Sequence, residues 1–326
     1  MITYSSALST LQTTTGVAST DTTNSATLIQ FWNDSRRTVG NMRGGNWPWR
    51  EFEKTVDTVA SQDYVYTPND MEKVTGVRVV VGTGTSATIY LPKLIFDVQK
   101  WQTILAARLG SNVYPYFCFQ QGQKLIFSPI PSVTGTDVVL IGRRAIRDMN
   151  IADITSSTVT SITNGATAMV ISAGGVASMA GRYIRITESD TTNKGDGYWY
   201  EIASATATTI TLVKPYQGTT IAAGAAACVI GQITYEPEAY QMAPIYRATA
   251  QYWDLKENMV LSERYWNLYD GGCEIGKRDL PAGLIGQMLE AAAETFDGAY
   301  IPPSDGDISN LMNVPYYFPT QEASGF

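Results

Sequence analysis

The hydrophobic period of this chain changes twice, and those two changes restrict its fold more than any single motif. Ser25–Met42 reads SATLIQFWNDSRRTVGNM. Leu28, Phe31, Trp32 and Val39 recur there at helical spacings and mostly oppose Asp34, Arg36 and Arg37, which predicts an amphipathic helix. From Thr55 the period falls to that of strands. TVDTVASQDYVYTP, KVTGVRVVVGTGTSATIYLP, NVYPYFCFQQGQKLIFSPIP and TDVVLIGRRAI each read as strands or hairpins. The helical period returns at Pro237: Ile245, Ala248, Tyr252, Leu255 and Met259 form one stripe, and Tyr246, Ala250, Trp253 and Leu261 a second. A helix apolar over more than half its girth belongs inside something.

Punctuation refines this outline. Asn24 or Ser25 can cap the first helix, and Gly44-Gly45 can end it. GGNWPWREF then turns a corner at Pro48, with a short second helix expected over Trp49 to Lys54. LIFDVQKWQTILAARLG interrupts the strands as a helix, with Ile95, Val98, Trp101, Ile104 and Leu105 at helical spacing and Gly110 as its stop. Residues 155–235 are compositionally distinct and all β, with turn signals at Asn164-Gly165 and Asp190–Gly197. In YIRIT, Ile184 and Ile186 share one face while Tyr183, Arg185 and Thr187 share the other. Asn258 and Ser262 can split the late helix, with Ser262 as the new cap, and Gly271-Gly272 ends it. A polar helix follows at LEAAAETF.

The expected fold class is therefore α+β: a helical bundle body with β-hairpins, an inserted all-β domain of barrel or sandwich type, and extended terminal arms. The expected divisions are an N-terminal arm over 1–23, the body over 24–154, the β insertion over 155–236, the body again over 237–298, and an extended C-terminal arm over 299–326. Residues 1–22 read as loose because they are rich in Ser and Thr and poor in large apolar side chains.

Much chemistry is missing. No histidine occurs, so Ser-His-Asp and Cys-His catalysis and His-ligated zinc have no residues to use. Cys118, Cys228 and Cys273 are far apart and lack CxxC spacing; they read as small buried hydrophobes. A formal charge of −7 argues against a basic nucleic-acid grip. Neither a membrane span of about 20 apolar residues nor a signal peptide is expected. Gly82-Thr83-Gly84 follows an apolar strand but precedes the β-rich ATIYLP, so a hairpin turn explains it better than a dinucleotide fingerprint. Asp190, Asn193 and Asp196 share a loop without the calcium-loop order. No cofactor, metal or catalytic residue is nominated, and the chain reads as a non-enzyme.

The clusters Arg36-Arg37, Arg143-Arg144 with Arg147, and Lys277-Arg278 read either as solvated faces or as partners for carboxylates of a neighbouring subunit. Tyr198-Trp199-Tyr200 can pack in a core or stack on sugars; on a strand, Tyr198 and Tyr200 face one way and Trp199 the other. Of Trp47 and Trp49, one indole is expected to pack between helices and the other to serve a neighbouring subunit.

As an ensemble, the glycine-terminated helix with its WPW corner, the Thr-rich insertion containing GRYIRITESD, GYWYEIASAT and TLVKPYQGT, and the aromatic YRATAQYWDLKENMVLSERYWNLYDGGCEIGKRDL resemble head-to-tail adaptor (connector) proteins of tailed bacteriophages. The resemblance spans most of residues 24–280. It implies a cyclic homo-oligomer of about twelve copies below the portal protein, at the virion neck, assembled in the host cytoplasm. DNA would pass through its channel without sequence-specific binding, tail or nozzle proteins would dock on it, and no membrane would be involved. By the same analogy Tyr316, Tyr317 and Phe318 would anchor the C-terminal arm. An acidic wall suits sliding DNA, because like charge discourages sticking. Two other readings stay open: a tail or surface protein binding host glycans through Trp199 and its neighbours, and a carboxylate-dependent polysaccharide hydrolase.

Overall fold

The computed structural model describes residues 1–42, 47–82, 87–107, 109–172, 174–175, 177–187, 195–222, 226–271 and 283–289. Its α and β parts form three packed assemblies. Helices α1 (Tyr4–Thr15), α2 (Thr22–Asn41), α4 (Ala243–Leu255) and α5 (Met259–Asp270) make up the first, while α3 (Val98–Ala106) lies among the strands. Ala7 and Leu11 of α1, Leu28, Ile29 and Trp32 of α2, and Ile245, Ala248 and Tyr252 of α4 share one core. Val39 and Trp47 join Ala243, Tyr269, Ile285 and Met288 in an adjoining one.

Two four-stranded sheets form the second assembly, joined by a short parallel pair, β6 (Ser111–Asn112) and β9 (Ile130–Pro131). One runs β1 (Glu51–Asp57), β10 (Asp137–Arg144), β3 (Met71–Val81), β4 (Thr88–Tyr90), all antiparallel. The other runs β2 (Tyr64–Tyr66), β8 (Lys124–Ser128), β7 (Phe117–Gln121), β5 (Lys93–Ile95), with β5 parallel to β7. Val74, Val77, Val79, Val138 and Leu140 of the first meet Val65, Cys118, Leu125 and Phe127 of the second in a common core. The antiparallel pairing of Val81 with Thr88 places Gly82 at the end of one arm of a β3–β4 hairpin.

The third is a closed six-stranded barrel in the order β11 (Thr158–Ile162), β12 (Ala168–Ile171), β15 (Thr209–Leu212), β14 (Trp199–Ala205), β13 (Tyr183–Ile186), β16 (Ala226–Gly231). Closure removes the edges that open sheets expose. Its lumen is filled by Val159, Ile162, Met169, Ile171, Ile184, Ile186, Ile202, Ile210, Leu212 and Ile230. Ile184 and Ile186 point inward as expected, and Gly165 adopts the left-handed φ of +82° that its turn requires.

Several expectations are corrected. Residues 1–22 do not form a loose arm. Thr3 caps α1 by accepting from the Ser6 N–H, Ala7 and Leu11 are fully buried, and Thr3 bridges to Ile233. The Ser/Thr content misleads because Thr10, Thr13 and Thr15 each turn the hydroxyl back on the carbonyl four residues earlier, so the helix satisfies its own polar groups. The cap of α2 is Asp21, not Asn24 or Ser25; Asn24 donates to it from backbone and side chain, which lowers the Asp21 pKa. Trp49–Lys54 is no helix: after a short 3-10 turn at Pro48–Arg50 the chain enters β1, because β10 supplies its ladder. Ile95 belongs to β5, and α3 begins only after the Asp97 cap. Asn258, not Ser262, caps α5; Glu257 takes φ +57° at the break, and the buried Ser262 hydroxyl donates to Asp254. Tyr198 and Tyr200 do not share a face. Tyr198 precedes the strand and is 68% exposed, whereas Tyr200 is buried in the barrel. The arm at 299–326 and most of LEAAAETF lie outside the described residues.

Candidate functional site: the junction of helices, sandwich and barrel

The chain crosses between its three assemblies at the segments following α2, β10 and β16. At the WPW corner Pro48 opens the 3-10 turn, and Trp47, 2% exposed, donates its indole N–H to the Val39 carbonyl at 2.9 Å. Trp49 stacks on it with centroids 6.2 Å apart and planes 26° apart, and is only half-buried. One tryptophan thus packs between helices while the other keeps an accessible face.

Arg50 follows, and sequence reading passed over it. Although 1% exposed, its guanidinium is bonded through all three nitrogens: Nη1 donates to the Gly40 carbonyl at 2.8 Å, Nε and Nη2 to the Arg144 carbonyl at 3.0 and 2.8 Å, and Nη2 also to Glu72. It therefore ties the end of α2 to the end of β10. Burial lowers its pKa and Glu72 opposes that.

Arg144 leaves β10 into the gap between sandwich and barrel. Its guanidinium lies 4.5 Å over Phe52 and 3.9 Å over Tyr235, and Nη1 donates to the Tyr183 hydroxyl at 3.0 Å. Burial, with Tyr235 alongside, pushes the Tyr183 phenol upward, so it stays protonated and can donate to Glu201 at 3.4 Å. Lys54 of β1 then bridges Glu201 at 3.4 Å and Asp70 at 3.2 Å. This chain of contacts fixes the barrel on the sandwich. Arg36, expected at a surface, is buried: it pairs with Glu236 at 3.5 Å, donates to the Arg147 carbonyl at 3.0 Å, and lies over Trp32 at 5.3 Å. Arg37 is exposed and bonds Asp34 at 2.8 Å and Asp148 at 2.7 and 3.0 Å, which raises its pKa through the Asp148 bond above all. Arg143 is partly exposed on β10, opposite Glu51. Asn33, also missed, clamps the linker by exchanging two bonds with the Met149 backbone at 3.0 and 3.1 Å. Neither Asn33 nor Arg50 could be found from spacing, because their partners are distant in sequence. Lys277, Arg278, Tyr316, Tyr317 and Phe318 lie outside the described residues.

Between these groups opens a cleft of about 520 Å³, bordered by Lys54, Asp70, Arg144, Arg147, Arg182 and Glu201. Burial pushes the Cys118 thiol up to about 12 and the Cys228 thiol up to about 11, away from reactivity. Among the described residues no three His, Cys, Asp or Glu side chains gather as metal ligands, and no helix is long and apolar enough to cross a membrane. The outer surface instead offers apolar contacts: Met259 and Val260 at the start of α5 are 70% and 78% exposed, and Ile89, Leu91, Phe96 and Val98 are exposed around β4 and β5. The site is a structural junction that holds the three assemblies in register.

Comparison with known proteins gives that class its family. The description SU10 adaptor protein matches residues 2–184, from α1 through the sandwich and into β13. The chain belongs to the SU10 adaptor protein family, consistent with a head-to-tail adaptor of a phage. No curated protein matches it.

Proposed function

We propose that the protein is a structural component of the virion neck, forming a ring of about twelve copies below the portal that extends the DNA channel and gives tail or nozzle proteins a platform. The observation that carries this reading is the family match over 2–184. The four packed helices, with the body segments 24–154 and 237–298, would dock on the portal; α1 travels with them because it shares their core. The barrel in the 155–236 insertion would spread toward the tail. Arg37, the exposed face of Trp49, Arg143, Lys277 and Arg278 are assigned to contacts between subunits or with the portal. Tyr316, Tyr317 and Phe318 are assigned to anchoring the arm at 299–326. Arg36, Trp47 and Arg144, being engaged inside the chain, would shape the interface from behind rather than touch it. A net charge of −7 suits a channel wall along which DNA slides.

Native mass spectrometry of the purified protein, with electron microscopy of particles, tests this. A ring at the portal vertex, or a monomer that becomes one on adding portal protein, is expected. Copies distributed over the capsid, or trimers on the tail, would overturn it.

A further inference from the structure

The net charge of this chain is confined to one segment. All 23 Lys and Arg fall within residues 1–278, where 23 of the 30 Asp and Glu balance them; the other seven carboxylates lie in 279–326, without one cation. The junction cleft has the opposite bias. On its walls Lys54 is shared by Asp70 and Glu201, and Asp148 is engaged by Arg37. Arg144, Arg147 and Arg182 border the cleft with no carboxylate partner among the described residues, and the Arg182 Nε is buried without a hydrogen bond. A buried donor left unbonded calls for an acceptor, and the exposed Arg147 stands on the same cleft wall.

We propose that the segment 290–326 docks in this cleft on its own chain, with Asp305 and Asp307 meeting Arg147 and Arg182. The spacing fits: in an extended chain, residues two apart point the same way about 7 Å from each other, so D-x-D presents two carboxylates to one wall. Reach fits as well. Ile285 and Met288 pack beside Val39, and Arg36, at the cleft, lies one turn back on the same helix, about 4.5 Å along its axis. From Leu289 to Asp305 is 16 residues, and a coil of that length covers roughly 20–24 Å. The carboxylates already on the walls favour this occupant over a polyphosphate. They would repel a continuous line of phosphates, whereas two spaced side-chain carboxylates can meet the arginines singly. Docking would hold the acidic segment against its own subunit until a competing surface draws it out.

Limited chymotrypsin digestion of the full chain reads this directly, because Tyr300 and Tyr316-Tyr317-Phe318 flank the acidic pair and trypsin has no site after Arg278. Cleavage at these aromatics, followed by mass spectrometry, is expected to quicken about tenfold in Asp305→Asn/Asp307→Asn and to a similar extent in Arg147→Glu/Arg182→Glu. High salt should erase the difference. Combining Arg147→Glu/Arg182→Glu with Asp305→Lys/Asp307→Lys should restore protection. Equal rates for the wild type and the Asp305→Asn/Asp307→Asn variant, which leaves the folded body untouched, would overturn the proposal. Protection that grows with protein concentration would overturn docking on the same chain and assign the acceptor to a second copy. None of these rates requires a ring, so this test and that of the adaptor reading fail separately.

Discussion

Arg36 of α2 and Glu236, at the exit from the barrel, face each other at 3.5 Å with side chains only 3% and 2% exposed. Arg36 Nε lies 3.5 Å from Glu236 Oε1 without making a hydrogen bond, and Glu236 Oε2 makes none either, so the attraction between the two side chains is Coulombic and each depends on the other's charge. Glu236→Gln strands a buried guanidinium and is expected to cost about 3 kcal/mol. The double variant Arg36→Met/Glu236→Leu should recover much of that, since a buried pair is replaced by packing. Urea unfolding of the three proteins decides it; a Glu236→Gln loss no larger than that of a surface substitution would remove the pair from the account.

Arg50 makes a sharper case, because its role is geometric as well as electrostatic. A lysine at this position keeps the charge but cannot donate at once to Gly40, Arg144 and Glu72, which lie on different elements. Arg50→Lys is expected to lower stability by about 2–3 kcal/mol. Glu72→Gln should cost under about 1 kcal/mol, since that carboxylate is 46% exposed. Thermal melts of both variants give the comparison; equal losses would show that charge pairing, not the carbonyl contacts, holds the corner.

The two residues mark where sequence reading stops. The amphipathic α2, the hairpin at Gly82 and the all-β stretch that closes as a barrel are legible because each is written in a local period or a turn residue. The helix α1 is not, since its polar groups bond within the helix and its buried residues are Ala7, Leu11 and Thr15, of which one alone is a large apolar side chain. Arg36 shows the same limit at the site. Its place beside Arg37 suggests a surface cluster, yet the partner that buries it is Glu236, 200 residues on. The WPW corner is legible as a turn, but which indole is hidden depends on Val39, whose carbonyl claims Trp47.

Backbone approach supplies another test. At Gly142, next to an irregularity in the β10–β3 ladder, an added Cβ would stand 2.5 Å from the Lys73 carbonyl oxygen and 2.8 Å from Met71 Sδ. Backbone cannot give way there as a side chain can. Gly142→Ala is expected to destabilise by about 2 kcal/mol. Gly76, on the facing strand, has room: its added Cβ would meet Ile141 at 3.6 Å, and Gly76→Ala should be within about 0.5 kcal/mol of neutral. Guanidinium unfolding of the pair measures the contrast, and similar losses would mean that the bulge relaxes.

Thiol chemistry follows from burial. Cys118 donates to the Lys93 carbonyl at 3.8 Å and Cys228 to the Ser157 carbonyl at 3.2 Å, and both thiols are held protonated at neutral pH. In a Cys273→Ser variant, which leaves only these two, an aromatic disulfide reagent should release no chromophore from the folded protein and two equivalents after denaturation. Rapid native release would contradict the packing of the sandwich or barrel core.

Asp153 carries the pH dependence of the attachment of α1. It accepts from the Thr3 hydroxyl, and its backbone N–H donates to Ser5 at 3.0 Å. Burial nevertheless raises its pKa, with the Thr3 and Ser5 bonds opposing. The folded protein therefore holds this proton more tightly than the unfolded chain does. The resulting stabilisation is full below the ordinary aspartate value of about 3.9 and is lost as pH rises through the folded pKa. Asp153→Asn keeps an acceptor for Thr3 while removing the titration, so the variant should gain on the wild type as pH rises from about 4 to about 7. Unfolding free energies of both proteins across that range test the sign. A difference that stays flat would mean that Asp153 ionises as freely in the fold as in water, and one that moves the other way would mean that the hydrogen bonds from Thr3 and Ser5 outweigh its burial.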